Sequence, residues 1–419
     1  MGGEIIDTAE LDLRSFIRRG DTVAWGQSAA EPVVLTRAFA RQSDRFVDVR
    51  AFLGTGFSDE IGPECADHVE FLLLGATGSN AKLVRRGAAN VIPCHLSDVP
   101  RLIARGTIAI DVLFVQLAED GKSYNLGVCV DYMPEALAAA RTVIAEVNDR
   151  MPTTCGKTMV DPAIVQARVR TSRPLPQMAP RTPTDLERAI AERVASLIPD
   201  KATLQVGIGS IPDAVLMALG EHRDLGVHSG IIGDLVAELM KAGVVTNRYK
   251  EIDEGATVAA VLHGTDRVYG YAHRNPQIRM MPYAYTHDAA VLRSFDRLFT
   301  IGSAAEVDLT GQVNAESVAG RPVGQVGGQV DFVRAGAGSP GGRSIIALPA
   351  TARGGQASRI VSRLSGPTTT ARSDVDVVLT EYGVAELRGA PIGERARRLV
   401  AIAHPSFRHR LEGEAERLA

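Results

Sequence analysis

The stretch LGVHSGIIGD holds the residues of this sequence best suited to acid–base chemistry. His228 can accept or release a proton near neutral pH, and Ser229 beside it carries a hydroxyl group. In an extended chain, the period of two places His228 and Gly230 on one face. The next carboxylate is Asp234, which we expect to cap a helix that ends at Gly243. The stretch predicts a site that acts through an imidazole, with a hydrogen-bonded structural histidine as the alternative.

A glycine turn in TLQVGIGSIPDAV is the second candidate. We predict a strand, a tight turn through Gly207 and Gly209, and a helix with Pro212 in its first turn. The free N–H groups and the dipole at the start of such a helix favour a phosphate or a carboxylate. The third glycine and the acidic residue of a dinucleotide fingerprint are missing. The turn predicts an anion site, with close packing of the strand on the helix as the alternative.

Paired glycines mark two further loops, GQVGGQVDF (residues 324–332) and TARGGQASRIV (residues 351–361). Glycine pairs let a ligand approach the backbone closely. A third loop, DLTGQVNAES, places Asn314 and Glu316 after a predicted strand, where α/β folds often carry site residues. We predict that these loops form a functional cluster, with ordinary turns and a turn-forming Asn314 as the alternatives.

Length and charge are those of an ordinary globular enzyme. A chain of 419 residues exceeds the size of one hydrophobic core and predicts two domains. The net charge of −3 argues against nucleic acid as a partner, and the sequence has no polybasic membrane patch. The sequence shows neither an apolar run long enough for a membrane span nor a signal peptide. We therefore expect a cytoplasmic protein.

The cysteines indicate reduced thiols and predict no metal centre. They are scattered along the chain at Cys65, Cys94, Cys129 and Cys155. Cys65 and His68 have a C-x-x-H spacing, and His95 follows Cys94 directly. Adjacent residues rarely face one ion together, so these pairs are weak metal ligands. Thiols spread through so long a chain are typical of a reducing compartment.

Strand-like and helix-like segments alternate along the chain, which predicts an α/β fold with parallel sheets. The pattern gives way between Asp161 and Thr184 to a segment rich in Pro, Arg and Thr, typical of a linker, and a helix then begins with Thr184 or Asp185 as its N-cap. We therefore predict two domains, 1–180 and 181–419. The strand-like runs are DTVAWGQ, FLLLG, DVLFVQL, TVIAEV, TLQVGIG, RLFTIG, SIIALP and DVDVVLTEYG.

Eleven motifs, in order along nearly the whole chain, resemble those of a known family. They are SAAEPVVL, DVLFVQL, NLGVCVDY, AEVNDRMPTTCG, TLQVGIGSIPDAV, LGVHS, EVDLTGQVNAES, GQVGGQVDF, IIALPAT, VVLTEYGVAELRG and IAHPSFR. On these motifs the chain is similar to the acetyl-CoA hydrolase/transferase family, close to its 4-hydroxybutyrate CoA-transferases. The resemblance implies two tandem open α/β domains of the class I CoA-transferase type, with the active site at their interface. It also implies coenzyme A bound as an acyl-CoA substrate, a small-molecule acceptor and a homo-oligomer such as a dimer.

The family's route runs through a glutamate in an H-S-E motif, and this sequence departs from that motif. In the family, the glutamate attacks the acyl-CoA thioester and becomes a glutamyl-CoA thioester, from which an acceptor acid collects CoA. Here the same stretch reads His228-Ser229-Gly230. Glycine has no side chain to form that bond, so the covalent route cannot run from position 230.

The resemblance implies that the rest of the site is present. Gly354 or Gly355 would offer a backbone N–H to the thioester oxyanion, and Asn314 would line the site. One such donor is worth roughly 3 kcal/mol in the transition state. The residues that the resemblance assigns to coenzyme A are Gly207, Ile208, Gly209, Ser210, Ile211, Gly327, Gly328, Gln329 and Asp331.

Three functions follow as alternatives. In the leading one, the glycine leaves a pocket where an amine, an alcohol or water attacks the thioester directly, and His228 accepts the proton. In the second, a carboxylate from elsewhere replaces the glutamate. Glu31 is the best placed, because Asp234, Glu306 and Glu316 stand in their usual family contexts. In the third, the chain binds acyl-CoA without catalysis.

Overall fold

The computed structural model describes residues 4–8 and 10–418, and it confirms the predicted α/β class. Its chain forms two compact units, each assembled from separate stretches of sequence. The first unit comprises the chain up to Met178, Val258–Thr286 and Pro322–Gly327; the second comprises Ala179–Thr257, His287–Arg321 and the chain from Gly328 onwards. Within the described residues, no helix combines the length and the apolar character that crossing a bilayer requires.

Short strands and helices alternate from one end to the other. The strands are β1 (Glu4–Ile5), β2 (Thr22–Trp25), β3 (Val49–Leu53), β4 (Val69–Leu73), β5 (Asn90–Val91), β6 (Val112–Asp120), β7 (Ser123–Asn125), β8 (Thr142–Asn148), β9 (Cys155–Gly156), β10 (Met159–Val160), β11 (Ala167–Thr171), β12 (Thr203–Val206), β13 (Gly226–Val227), β14 (Ile231–Ile232), β15 (Thr257–Ala259), β16 (Val261–Leu262), β17 (Ile278–Met280), β18 (Leu298–Gly302), β19 (Glu306–Asp308), β20 (Val313–Asn314), β21 (Ser317–Val318), β22 (Arg321–Pro322), β23 (Arg343–Ala347), β24 (Thr351–Ala352), β25 (Ala357–Ser358), β26 (Ile360–Val361), β27 (Val377–Thr380) and β28 (Gly383–Glu386). The α-helices are α1 (Val33–Arg41), α2 (Ala81–Arg85), α3 (Val99–Ala104), α4 (Met133–Ala139), α5 (Asp185–Leu197), α6 (Ser210–Ala218), α7 (Asp234–Lys241), α8 (Asp266–Ala272), α9 (Tyr283–Thr286), α10 (Ala289–Leu292), α11 (Gln329–Gly338), α12 (Ile392–Ala401) and α13 (Pro405–Ala415). Short 3-10 helices cover Leu13–Ser15, Ser28–Ala30, Ser43–Arg45, Pro63–Asp67 and Pro162–Ile164.

A mostly parallel sheet organises the first unit. Its strands run in the order β1-β11-β8-β6-β2-β3-β4-β5, and the antiparallel strand β7 continues from β6. β2 is buried along its whole length, as expected for a parallel strand covered on both faces. Trp25 packs on Phe39 and Phe114 in the core, with ring centroids 5.5 Å and 6.3 Å away.

The sheet of the second unit positions the candidate site. Its order is β13-β12-β18-β23-β27-β28, and only its last pair, β27 with β28, is antiparallel among the register pairs described. The carboxyl ends of parallel strands meet at one edge, so the loops after β12, β13 and β18 lie together. The Ser229 hydroxyl group donates to the Val206 carbonyl oxygen (3.1 Å), which joins the loop after β13 to the end of β12.

The eight predicted strand runs are strands, and α5 begins where the sequence indicates. Thr184 is its N-cap: its hydroxyl oxygen accepts from the Glu187 N–H (3.3 Å), and the Glu187 carboxylate accepts from the Thr184 N–H (2.8 Å). This reciprocal capping box satisfies two N–H groups that the helix itself leaves open.

Two local predictions are wrong. β11 lies inside the segment interpreted as a linker, because Ala167 and Val169 are buried and pair with β8. Asp234 is the first residue of α7 rather than its cap, which is Gly233. The predicted end of that helix is confirmed, since Gly243 follows the C-cap with a φ of +74°.

Candidate active site

His228 and Gly230 lie at the end of an edge strand of the second unit. The predicted extended run is shorter than expected, because β13 ends at Val227 and β14 begins at Ile231. The His228 N–H still donates to the Leu204 carbonyl oxygen of β12 (2.9 Å). The hydrogen bonding between β13 and β12 therefore extends one residue past the end of β13. The His228 side chain is fully buried.

The imidazole of His287 occupies the space beside Gly230. A Cβ atom added at Gly230 would lie 2.8 Å from Cε1 and 3.0 Å from Nε2 of that ring. A Cβ atom at Gly328 would lie 2.5 Å from Nε2 and 2.6 Å from Cδ2. Such distances are shorter than van der Waals contact, so both positions need glycine while the ring is there. The expectation that Gly230 leaves an open pocket is therefore wrong.

Local structure explains the position of His287. α9 ends at Thr286, and the Asp288 side chain caps α10 by accepting from the N–H groups of Ala290 (2.8 Å) and Val291 (2.9 Å). His287 is thus fixed between two short helices, and its ring packs 4.7 Å from the ring of Phe332. Sequence reasoning missed this residue, because an isolated histidine between two single helical turns follows no periodic pattern.

Burial makes His287 a neutral imidazole at physiological pH. Only 2% of the residue is exposed, and desolvation, followed by the nearby His228, lowers the pKa of His287 to about 3. His228 packs on Phe295 with ring centroids 4.9 Å apart. The Lys250 ammonium group lies over the Phe295 ring, 5.8 Å from its centroid, and donates to the Val227 carbonyl oxygen (3.0 Å).

The glycine turn before α6 has the predicted form. β12 ends at Val206, and Gly209 is the N-cap of α6, with a φ of +123° that L-residues rarely adopt. A Cβ atom at Gly209 would meet nothing within 4 Å, and Ile208 is 58% exposed. The start of α6 is therefore accessible to an anion. The Ser210 hydroxyl group hydrogen-bonds the Glu187 carboxylate, and Asp213 lies in the first turn of α6.

The second glycine loop leads into α11. Gly327 has a φ of +63°, and its carbonyl oxygen accepts from the Leu96 N–H (3.1 Å) within the first unit. Gly328 is the N-cap of α11, and Asp331 lies in the first turn of that helix. The Gln329 amide nitrogen donates to the Ser303 carbonyl oxygen (3.2 Å). The amide oxygen is therefore the atom of this side chain left for the predicted contact with coenzyme A.

The third glycine loop is the tip of the hairpin β24–β25. Gly354 (φ +64°) and Gly355 (φ +90°) are exposed there. The Gly355 N–H donates to the Ala352 carbonyl oxygen (3.1 Å) and closes the turn. The Gly355 N–H is therefore already used, and Gly354 remains as the candidate oxyanion donor.

Asn314 is a buried turn residue. Its amide nitrogen donates to Glu306 Oε1 (3.0 Å) and to the Ser317 carbonyl oxygen (3.0 Å). Its amide oxygen accepts from the N–H groups of Glu316 (3.0 Å) and Ser317 (3.0 Å). These bonds occupy both ends of the amide, which matches the turn-forming alternative. A role in lining the site stays a prediction.

The carboxylates considered as replacements are engaged in structural bonds. Glu31 is buried in the first unit, where one oxygen accepts from the N–H groups of Phe57 (2.9 Å) and Ser58 (2.8 Å) and the other from the Ser58 hydroxyl group. Glu306 accepts from the Ser365 N–H (2.6 Å), and Glu316 accepts from a threonine hydroxyl group (2.8 Å). Within the part of the chain that the structure describes, no three His, Cys, Asp or Glu residues form a metal-binding group.

Comparison with known proteins identifies the family. The model of the acetyl-CoA hydrolase/transferase N-terminal domain matches residues 6–171, and that of the C-terminal domain matches residues 264–415. The chain belongs to the acetyl-CoA hydrolase/transferase family. This confirms the resemblance drawn from its motifs, and the chemistry of the family is acyl-CoA transfer or hydrolysis.

Individual known proteins are similar to this chain over nearly its full length. The chain is 38% identical over 417 residues to the 4-hydroxybutyrate coenzyme A transferase of Clostridium kluyveri, covering 98% of this chain and 97% of that protein. Its fold is similar to the crystal structure of RipA from Yersinia pestis (TM-score 0.93, 33% identity, 99% and 97% of the two chains). It is also similar to a 4-hydroxybutyrate CoA-transferase from Porphyromonas gingivalis (TM-score 0.82, 33% identity, 99% and 97%).

Proposed function

We propose that the chain moves an acyl group directly from acyl-CoA to a small nucleophile (an amine, an alcohol or water) without a glutamyl-CoA intermediate. One observation carries the proposal. Position 230, where the H-S-E motif would place its glutamate, holds glycine, and the His287 ring fills the volume that a side chain there would enter. No carboxylate can attack a thioester from this position, so the acyl group has to leave CoA by another attack.

The glycine loops supply the other requirements of the reaction. We propose that the accessible start of α6, Gly207 to Ile211, and the loop from Gly327 to Asp331 hold coenzyme A. We further propose that the Gly354 N–H polarises the thioester carbonyl group. A single oxyanion donor changes kcat by about 10²- to 10³-fold, enough to promote attack without a covalent enzyme intermediate.

Conventional CoA transfer through another carboxylate is less well supported. Glu31 is the replacement that the sequence favours, and its oxygens accept from two backbone N–H groups and a hydroxyl group inside the first unit. These hydrogen bonds engage both carboxylate oxygens, and an attack on a thioester would have to break them. We therefore retain direct acyl transfer. The predicted homo-oligomer and cytoplasmic location also stay proposals.

A product screen tests the proposed function. Purified protein is incubated with short acyl-CoAs and pools of amines, alcohols and acids, and the products are resolved by mass. We expect acylated amine or alcohol, or free acid, with one CoA thiol released per acyl group. Protein incubated with acyl-CoA alone should carry no CoA on Asp or Glu, by mass spectrometry or borohydride trapping. Such an adduct, or transfer of CoA to free acids, would contradict the proposal. Tight CoA binding without turnover would indicate a non-catalytic binding protein.

A further inference from the structure

We propose that Arg359 binds an anionic oxygen of the ligand, a carboxylate or a phosphate, at the carboxyl edge of the sheet in the second unit. The inference rests on the proposed function only in taking acyl-CoA as the ligand. An acyl-CoA offers such oxygens at two places. One is the phosphates of coenzyme A, and the other is a free carboxylate on the acyl group of a dicarboxylic acid.

The backbone fixes Arg359 at that edge of the sheet. Its N–H donates to the Ala350 carbonyl oxygen (2.9 Å), and its carbonyl oxygen accepts from the Val307 N–H (2.8 Å). Ala350 follows β23, and Val307 lies in β19, the strand after β18. Since β18 and β23 are parallel neighbours, their carboxyl ends lie at the same edge, which is where open α/β sheets bind ligands.

The guanidinium group of Arg359 is held on one side and open on the other. Its Nε donates to the Thr351 carbonyl oxygen (3.3 Å), and its Nη1 donates to the carbonyl oxygens of Ala304 (3.3 Å) and Ala305 (3.1 Å). Among the described residues Nη2 has no hydrogen-bond acceptor, and this atom is not buried. The residue as a whole is half-buried. Two N–H groups of a fixed guanidinium are therefore available to a ligand.

Arg359 also lacks a counter-charge. Burial lowers its pKa, and no charge in the part of the chain that the structure describes offsets that effect. Two carboxylates of the same region have other partners: Glu306 accepts from the Ser365 N–H (2.6 Å), and Glu381 accepts from the Ala350 N–H (2.9 Å). A partly desolvated cation that meets only carbonyl dipoles is costly, and an anion at Nη2 would supply the missing charge.

The segments that Arg359 joins carry residues assigned to the ligand. The Gln329 amide nitrogen donates to the Ser303 carbonyl oxygen (3.2 Å), in the loop that Nη1 contacts. Thr351 begins the hairpin β24–β25, whose turn carries the candidate oxyanion donor Gly354. The open edge of the guanidinium group thus lies between a proposed coenzyme A loop and the proposed thioester site. A structural role, in which Arg359 only holds these segments together, is the alternative.

Binding of four ligands separates the two roles without depending on turnover. They are pantetheine, which has no phosphate, CoA, and the thioethers butyl-CoA and carboxypropyl-CoA, which differ by a carboxylate. We measure Kd by calorimetry for wild type and Arg359→Gln. A contact with the acyl carboxylate should weaken carboxypropyl-CoA alone, by about 10- to 100-fold. A contact with phosphate should weaken the three CoA compounds by that factor and leave pantetheine within threefold. Equal weakening of all four, or no change in any, overturns the role of Arg359.

Two further variants control for stability and charge. Arg395 also donates through Nε and Nη1 to backbone carbonyl oxygens, those of Ala390, Thr310 and Arg372, but it is only 8% exposed. Arg395→Gln should therefore lower the melting temperature and leave the four Kd values within threefold of wild type. Arg359→Lys should retain part of the affinity that Arg359→Gln loses, because it keeps the positive charge.

The result does not depend on the fate of the proposed function. A CoA adduct on wild-type protein contradicts direct acyl transfer and leaves these binding ratios unchanged. If Arg359→Gln does not fold, the wild-type protein decides. Binding carboxypropyl-CoA no more tightly than butyl-CoA, together with a Kd for CoA that does not rise with ionic strength, overturns the role of Arg359.

Discussion

The ring of His287 lies so close to Gly230 that no side chain at position 230 fits without displacing it. Gly230 does not have a positive φ, so its backbone would accept another residue type. The neighbouring ring is therefore what requires glycine here. The two positions form a coupled pair, in which one residue lacks a side chain and the ring of the other occupies the space beside it.

Introducing a glutamate at position 230 alone should fail to produce CoA transfer. We expect Gly230→Glu to destabilise the protein by about 1–3 kcal/mol, because overpacking a buried site has that cost. The double variant Gly230→Glu/His287→Ala should be more stable than the single one and should transfer CoA between an acyl-CoA and a carboxylic acid. Chemical denaturation and a CoA-exchange assay measure the two effects. Efficient exchange by the single variant would show that the ring moves aside easily.

Gly328 should show the same dependence on the His287 ring. We expect Gly328→Ala to destabilise the protein by about 1–3 kcal/mol, and His287→Ala to remove most of that penalty in the double variant. The control is Gly338→Ala at the exposed end of the same helix, where a Cβ atom meets nothing within 4 Å. That change should be neutral or stabilise by up to about 1 kcal/mol. Additive effects of Gly328→Ala and His287→Ala would contradict the contact.

Stability should fall in mild acid because of His287. Burial and the nearby His228 lower its folded pKa to about 3, below the ordinary value of 6.5. Between these values the unfolded chain binds a proton that the folded chain does not, so the free energy of unfolding decreases as pH falls from 6.5 towards 3. From pH 6.5 to 5 the loss is about 2 kcal/mol, at ~1.4 kcal/mol per pH unit.

Urea denaturation at a series of pH values checks this slope. His287→Gln should lose less stability than wild type between pH 6.5 and 5. His409→Gln, a change at an exposed histidine of α13, should keep the wild-type slope. Equal slopes for wild type and His287→Gln would show that the imidazole is not held neutral.

Glu31 should matter for folding and not for turnover. Glu31→Ala leaves two backbone N–H groups and the Ser58 hydroxyl group without their acceptor, and we expect it to destabilise the first unit by about 2–4 kcal/mol. The kcat per folded molecule should stay within threefold of wild type. A loss of CoA transfer in a folded Glu31→Ala protein would instead favour the alternative carboxylate route.

Much of the fold was predictable because it depends on local patterns. Buried parallel strands are short apolar runs, and the start of α5 is marked by a capping box that spans only four residues. β11 was missed because its two buried residues lie in a segment rich in Pro and Arg, and only pairing with β8 makes them a strand. Local patterns carry no information about such pairing.

The candidate site was predictable only in part. The glycine turns and the glycine at position 230 can be seen in the sequence, because they follow from residue type and spacing. His287 lies 57 positions after Gly230 in the chain, and its contact with that glycine follows from packing in the second unit. The predicted vacancy beside Gly230 was wrong for the same reason, since a missing side chain does not reveal what fills its place.

The interleaved order of the two units has a consequence for biosynthesis. The first unit needs residues as late as Gly327, including the 322–327 segment whose Gly324 carbonyl oxygen accepts from the Ala76 N–H (2.9 Å). A ribosome adding about 5–20 residues per second emits the stretch between Met178 and Gly327 over roughly 7–30 s. During that interval the nascent first unit lacks the segments Val258–Thr286 and Pro322–Gly327 that complete it. A gene split near codon 180 would leave the first fragment permanently in this incomplete state.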